Sequence, residues 1–287
     1  MGVLSLVKSQ REQNTSARNS DRWIERTLWS DLAVLYRQRK LAWSLYSAEV
    51  AEMRRTSGLG LFAPFVSVIV YTIVLGSVMA LVFGERIDVF IPFFAISFPI
   101  WQAISSVVSE AAYANEKSAR LLSFPNLAVS LVHLVSAYGL VINLVLKLAA
   151  ASLVVAIISP AILLNANYLG AAIGVLLTSV AVIAWAVPLS FIFDRVRLLR
   201  GLLPQMLMAI YLITPILWQP ERLSAHSLVY ELNPVYHLVE AIRAPLLTGS
   251  IPLGSIAACA GTAFVGLLAS ALTFSRNRRQ IIYGWIA

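Results

Sequence analysis

The chain has 287 residues, 59% of them apolar and 13% charged, with a mean hydropathy of +0.78. Water-soluble chains run at about 45–50% apolar and about 25% charged, so the excess does not fit one soluble core, and the composition predicts an all-α integral membrane protein. The lone Cys259 excludes an internal disulfide and a cysteine-based metal centre, and the net charge of +8 reads as topogenic charge and lipid-headgroup contact rather than nucleic-acid binding.

Residues 1–20 are polar after residue 7 and carry no signal-peptide core, so a flexible N-terminal tail is expected there. Residues 21–57 predict a cytoplasmic amphipathic interface helix, started by Ser20 or Asp21. Leu28, Leu32, Leu35, Tyr36, Trp43, Tyr46 and Val50 recur at helical spacing on one face. Arg37, Lys40, Ser44 and Ser47 occupy much of the rest, while Trp23, Trp29 and Trp43 suit the headgroup layer. The alternative is a helix docked on protein alone.

Residues 58–287 form the predicted membrane domain. Six stretches satisfy the need for about 20 mostly apolar residues per span: 61–83, 89–112, 127–158, 168–193, 204–220 and 252–274. The third is long enough to tilt. The fifth is interrupted by Pro204, Pro215 and Pro220, and such breaks persist in a bilayer only where protein or a water-filled cavity satisfies the freed backbone groups. That marks span five as a pathway element. Eighteen of the 22 Lys and Arg fall before span one, in the loops after spans two and four, or in the tail. Arg86, Arg222 and Arg243 lie on the other side and Lys147 lies inside span three, so both termini are expected in the cytoplasm.

The loop 113–124 ends at Pro125 and predicts a short helix capped near Asn115. This loop and the connector 194–201 are candidate docking points for a partner; a plain solvated connector is the alternative for each. Residues 221–251 are too polar to span and too apolar for a free loop. Leu228, Leu232, Val235, Leu238, Val239 and Ile242 predict two short helices, broken at Asn233–Pro234 and Ala244–Pro245, that dip into the outer leaflet. His226, His237, Glu231 and Glu240 lack HExxH-type spacing and read as interfacial residues rather than metal ligands.

No GxxxxGK[ST] phosphate loop and no GxSxG elbow occur. The ionisable residues within or at the edge of spans are Glu110, His133 and Lys147. Lys147, one turn from Asn143, is either a buried functional ammonium or a side chain reaching to the headgroups. Phe65, Tyr71, Phe98, Trp101, Trp185, Tyr211 and Trp218 fall within spans, and flat rings offer faces along which sugars slide without strong directional bonds.

RRTSGLGLFAPFVSVIVYTIVLGSVMALVFG (54–84), NPVYHLVEAIRAPLLTG (233–249) and the tail RNRRQIIYGW (276–285) together resemble the polysaccharide-export ABC permeases. These are membrane subunits of type 2 ABC exporters for O-antigen, teichoic acid, capsule or mycobacterial galactan. The resemblance implies a homodimer in the bacterial cytoplasmic (inner) membrane, bound to two copies of a cytoplasmic ATPase subunit that holds the ATP and Mg, with no cofactor in this chain. It assigns coupling to Asn115, Glu116, Lys117, Arg120, Arg195 and Arg197. A channel for a lipid-linked polysaccharide would be lined by Phe65, Tyr71, Phe98, Trp101, Tyr211 and Trp218. External re-entrant helices between spans five and six would supply a gate at Asn233, Pro234, His237, Glu240 and Arg243. A type 2 ABC permease for a drug, lipid or other amphiphile is the alternative; a membrane-embedded transferase or a secondary carrier finds no supporting motif.

Overall fold

The N-terminal amphipathic stretch folds as two helices, α1 (Leu28–Arg37) and α2 (Arg39–Ser57). These come from a computed structural model that describes residues 28–59, 62–121 and 130–283; the expected N-terminal tail, its capping residues and Trp23 lie outside them. Backbone hydrogen bonds continue across the bend, from Gln38 N–H to Val34 O and from Ala42 N–H to Gln38 O. The bend therefore keeps Leu35, Ala42 and Tyr46 on one buried face, packed on Leu131 and Val135. Tyr36 and Trp43, predicted on that face, are exposed, although Trp43 also meets the edge of Tyr138.

α3 (Ala63–Phe83) starts with Pro64 in its first turn, where the missing N–H costs nothing. It ends at Gly84, whose φ of +66° is the left-handed conformation that lets N–H groups of residues 84 and 85 fold back on Ala80 and Leu81. α4 (Ile87–Ala111) is buried along most of its length and is the central helix. Next come α5 (Ala114–Leu121), α6 (Leu131–Ile158), α7 (Pro160–Leu164) and α8 (Tyr168–Arg195). Asn167 caps α8 by accepting from Gly170 N–H. α9 (Leu198–Ile213) leads through an irregular stretch to the 3₁₀ helix Pro220–His226, then α10 (Leu228–Glu231), α11 (Pro234–Leu247) and α12 (Leu253–Tyr283).

α3, α4, α6, α8 and the Leu253–Arg276 part of α12 are long and apolar enough to cross a membrane. The fifth predicted span is not one continuous helix from 204 to 220. α9 starts earlier, at Leu198, absorbs the second half of the predicted connector 194–201, and stops at Ile213 before Pro215. Its 16 residues extend about 24 Å, against a hydrocarbon core of about 30 Å. Only Val196 and Arg197 separate α8 from α9.

α8 packs most extensively on α12, and α11 is inserted among α8, α12 and α4. The expected break at Ala244–Pro245 is absent, because α11 runs through Pro245 to Leu247. A proline within a helix deprives the carbonyl four residues earlier of its donor, and in two places a serine from elsewhere in the bundle takes up that carbonyl. Pro92 frees the oxygen of Asp88, which accepts from Ser159 Oγ at 2.9 Å. Pro188 frees Ala184 O, which accepts from Ser270 Oγ on α12. Pro245 frees Ala241 O, and there Gly174 of α8 packs so closely that a Cβ at 174 would lie 2.6 Å from the Ala241 carbonyl carbon. Such backbone-to-backbone approach is open only to the smallest residue.

Candidate functional site

Three groups of residues singled out by sequence sit at three levels of the bundle. At the end that carries α5, the two candidate docking segments meet. Asn115 is buried within the first turn of α5 rather than capping it. Its Nδ2 donates to Asp194 Oδ2 and its Oδ1 accepts from Ser190 Oγ. Asp194 lies in the last turn of α8 and Arg200 in the first turn of α9, and the bend at Val196–Arg197 turns them toward each other. The Arg200 guanidinium pairs with both Asp194 and Glu116 and lies over the Tyr113 ring, 5.6 Å from its centroid.

Charge-assisted bonds of this kind are strong when shielded. The Arg200 side chain is 16% exposed, whereas that of Arg86, paired with Asp88, is 80% exposed. Arg200 therefore locks α5 to the α8–α9 corner. Lys117, Arg195 and Arg197 point outward from this corner as exposed cations; the side chain of Arg120 lies outside the described residues. Sequence reasoning missed Asp194 and Arg200, whose opposite charges six residues apart gain meaning only across a helix break.

At mid-bundle the six candidate channel aromatics divide. Tyr71 stacks on Phe98 at 5.3 Å, and Tyr211 meets Phe98 at 6.4 Å and Trp101 at 5.7 Å. Phe94 and Phe90 extend the row. Phe98, Trp101 and Tyr211 are buried, while Tyr71 is half-exposed on α3. The Tyr211 hydroxyl is buried and has no hydrogen-bond partner among the described residues. Phe65 packs elsewhere, against the core shared by α4, α6 and α8. Trp218 lies beyond the end of α9, where its ring meets Tyr230 and its Nε1 donates to Leu212 O. Neither joins the row, because α9 ends before residue 218 and Phe65 faces a different side of α3.

At the opposite end, α11 begins with Pro234 and is capped by Asn233, whose Oδ1 accepts from Val235 N–H. Asn233 Nδ2 donates to Thr214 Oγ1, which donates in turn to Ile210 O in the last turn of α9. His237 Nε2 contacts Glu231 O, an acceptor only, so that nitrogen carries the hydrogen and Nδ1 faces Ser255 Oγ of α12. Arg243 is 3% exposed. It pairs with Glu240, donates to Ser97 Oγ and to Pro215 O, and covers the Phe93 ring at 4.4 Å. Three of the five candidate gate residues, Asn233, His237 and Arg243, thus fasten α11 to α12, to α4 and to the end of α9; Glu240 pairs with Arg243 within α11.

Lys147 on α6 is half-buried and forms no ion pair with a described residue. Glu110 accepts from Ser106 Oγ at 3.3 Å.

Residues 40–247, from α2 to the end of α11, match the family model for the ABC-2 type transporter. The chain belongs to this family. No curated protein matches it. It is a multi-pass membrane permease, the transmembrane subunit of an ABC transporter and not itself an ATPase, and the family implies a partnering ATPase subunit. The permease match spans all three groups of residues, so the corner at Arg200, the aromatic row and the buried Arg243 belong to one transport domain.

Proposed function

We propose that this permease exports a lipid-linked polysaccharide across the bacterial cytoplasmic membrane as a homodimer, driven by two copies of a cytoplasmic ATPase subunit. The aromatic row Tyr71–Phe98–Tyr211–Trp101 carries the reading: consecutive ring faces suit a sugar chain that must slide, and one buried phenol hydroxyl there has no partner among the described residues. The similarity of 54–84, 233–249 and 276–285 to polysaccharide-export permeases supports the same substrate. In this reading the chain divides into the tail 1–20, the interface helices within 21–57 and a membrane domain 58–287. α9 with the irregular stretch after it completes the six spans as the fifth in chain order, and the segment 221–249 is an external re-entrant gate. The excess of Lys and Arg supports a cytoplasmic α5 end and cytoplasmic termini.

The coupling step follows from the corner at Arg200. ATP-driven closure of the partner pushes on α5 and on Arg195 and Arg197. Because Arg200 bridges Glu116 and Asp194, the push reaches α8 and α9 together. A ligand or partner shifts a conformational equilibrium only through contacts that differ between the two states, and the row between α3, α4 and α9 is where a relative movement of these helices opens or closes a path.

Depletion of the permease in its host, followed by localisation of lipid-linked glycan, tests the substrate. Accumulation on the cytoplasmic side is expected. Normal glycan display, with loss of efflux of an apolar compound instead, would replace the polysaccharide with a drug, lipid or other amphiphile. A complex of two permeases and two ATPase subunits on co-purification is the expected assembly.

A further inference from the structure

Beneath the first turn of α11, a cavity of about 560 Å³ is enclosed by α4, α8, α11 and α12. Ile104, Trp185, Leu238, Ala258, Gly261 and Val265 are among the residues that face it, and its walls are almost wholly hydrocarbon. The one prominent polar group, Trp185 Nε1, is already committed to Thr262 O at 3.1 Å. The indole is also held in place from below: a Cβ at Gly266 would come 2.8 Å from Trp185 Cδ1, so only glycine leaves room for it. Val265 is 51% exposed and Gly261 is exposed, so the cavity opens along α12.

We infer that this cavity holds one hydrocarbon tail of a bilayer phospholipid. With walls almost wholly hydrocarbon and the Thr262 hydroxyl as the one side-chain oxygen among the lining residues, it offers little to a sugar, a headgroup or water; an apolar cavity does not retain water. Three of its walls are membrane-spanning helices, so the molecules that reach its opening are bilayer lipids. At about 30 Å³ per group, the share of one liquid water molecule, the volume accommodates about eighteen such groups, on the scale of a single tail. A cavity left empty would forfeit the dispersion contacts of every atom lining it.

The site is separate from the aromatic row. None of Tyr71, Phe98, Trp101 and Tyr211 is among the residues that line the cavity, and the inference does not rest on the polysaccharide reading. A tail in the cavity bears on Leu238 and thereby on α11, the helix fastened by Arg243 to Ser97 and Pro215. The lipid is a removable wedge under that helix.

Trp185 supplies its own reporter, since bromine on an acyl chain quenches indole emission on contact. The permease is placed in vesicles of phosphatidylcholine brominated at mid-tail, and the Trp185 contribution is taken as the difference between the native chain and Trp185→Phe. Strong quenching of that contribution is expected, with loss of the quenching in Gly261→Leu. A Cβ at 261 meets nothing within 4 Å, so that side chain enters without moving backbone; Ala258→Leu fills the same cavity if Gly261→Leu fails to assemble. Absence of Trp185 quenching in the native chain, or quenching that persists in both filled variants, would overturn the assignment. Relief of quenching by a small admixture of unlabelled polyprenyl phosphate would overturn it in favour of an isoprenoid tail.

Discussion

Arg243 Nη1 donates to the carbonyl oxygen of Pro215 at 2.6 Å, joining α11 to the point where the chain leaves α9. The contact resolves two difficulties at once. A guanidinium that is 3% exposed needs partners in every direction, and a chain interrupted by prolines leaves carbonyls without donors. Ser97 and Glu240 complete the arrangement.

Arg243→Met should therefore strip Pro215 O of its donor and leave Glu240 without its counter-ion. A cost of about 3–5 kcal/mol is expected, as for other broken buried pairs, seen as a lower melting temperature of the detergent-purified permease. Arg243→Lys should recover only part, because an ammonium does not reproduce the planar fork of donors. Equal melting temperatures for the native chain and Arg243→Met would show that the clasp carries no weight.

Pro188 and Ser270 should show antagonistic coupling. In the native chain, Ser270→Ala leaves Ala184 O unpaired inside the bundle, at a cost of about 1–3 kcal/mol. In a Pro188→Ala background, residue 188 regains an N–H that reaches Ala184 O along its own helix, and the same Ser270→Ala change should cost little. A double-mutant cycle on unfolding free energies measures this, and additive losses would refute the shared acceptor.

Removing Arg200 should uncouple the transporter under the proposed mechanism. Arg200→Met leaves Glu116 and Asp194 repelling across the corner. ATP turnover by the reconstituted complex should persist while transport per ATP falls. Lys117→Glu with Arg120→Glu should instead weaken binding of the ATPase subunit itself. A native transport-to-ATP ratio in Arg200→Met would exclude the corner from coupling.

Tyr211→Phe should leave the melting temperature unchanged, since the hydroxyl it removes has no partner among the described residues, and should slow glycan export if that hydroxyl faces the sugar. Trp101→Ala should slow export and also destabilise by about 3–5 kcal/mol, because it empties a buried site. Full export by Tyr211→Phe would remove its hydroxyl from the path.

The apolar runs around residues 63–83, 131–158 and 168–195 were legible because lipid-facing helices must be apolar nearly all round and about the right length. α9 was misjudged for the opposite reason. Pro204 suggested a boundary, yet the helix begins six residues before it, at Leu198, since leucines favour helix on both sides. Pro245 suggests a break for the same local reason, yet α11 runs through it, packed against Gly174, 71 residues earlier in the chain. Arg243 was noticed as a charged gate residue, but nothing in the spacing of 233–249 reveals that Ser97 and Pro215 receive it. Helix propensity is a property of neighbours in sequence, whereas the satisfaction of a buried donor or carbonyl is settled by elements far apart.

α8 joins the two ends of the molecule as one rod. Asp194, gripped through Asn115 and Arg200, stands at one end; Gly174, pressed against the backbone of α11, stands twenty residues away, about 30 Å along the axis. A tilt of a few degrees at the corner becomes a displacement of ångströms at α11. Pro188, close to the corner, leaves the Ala184 carbonyl without a donor in its own helix, and Ser270 of a neighbouring helix holds it. The rod is therefore pinned beside its weakest turn, a lever whose fulcrum is written into the packing of α8 on α12.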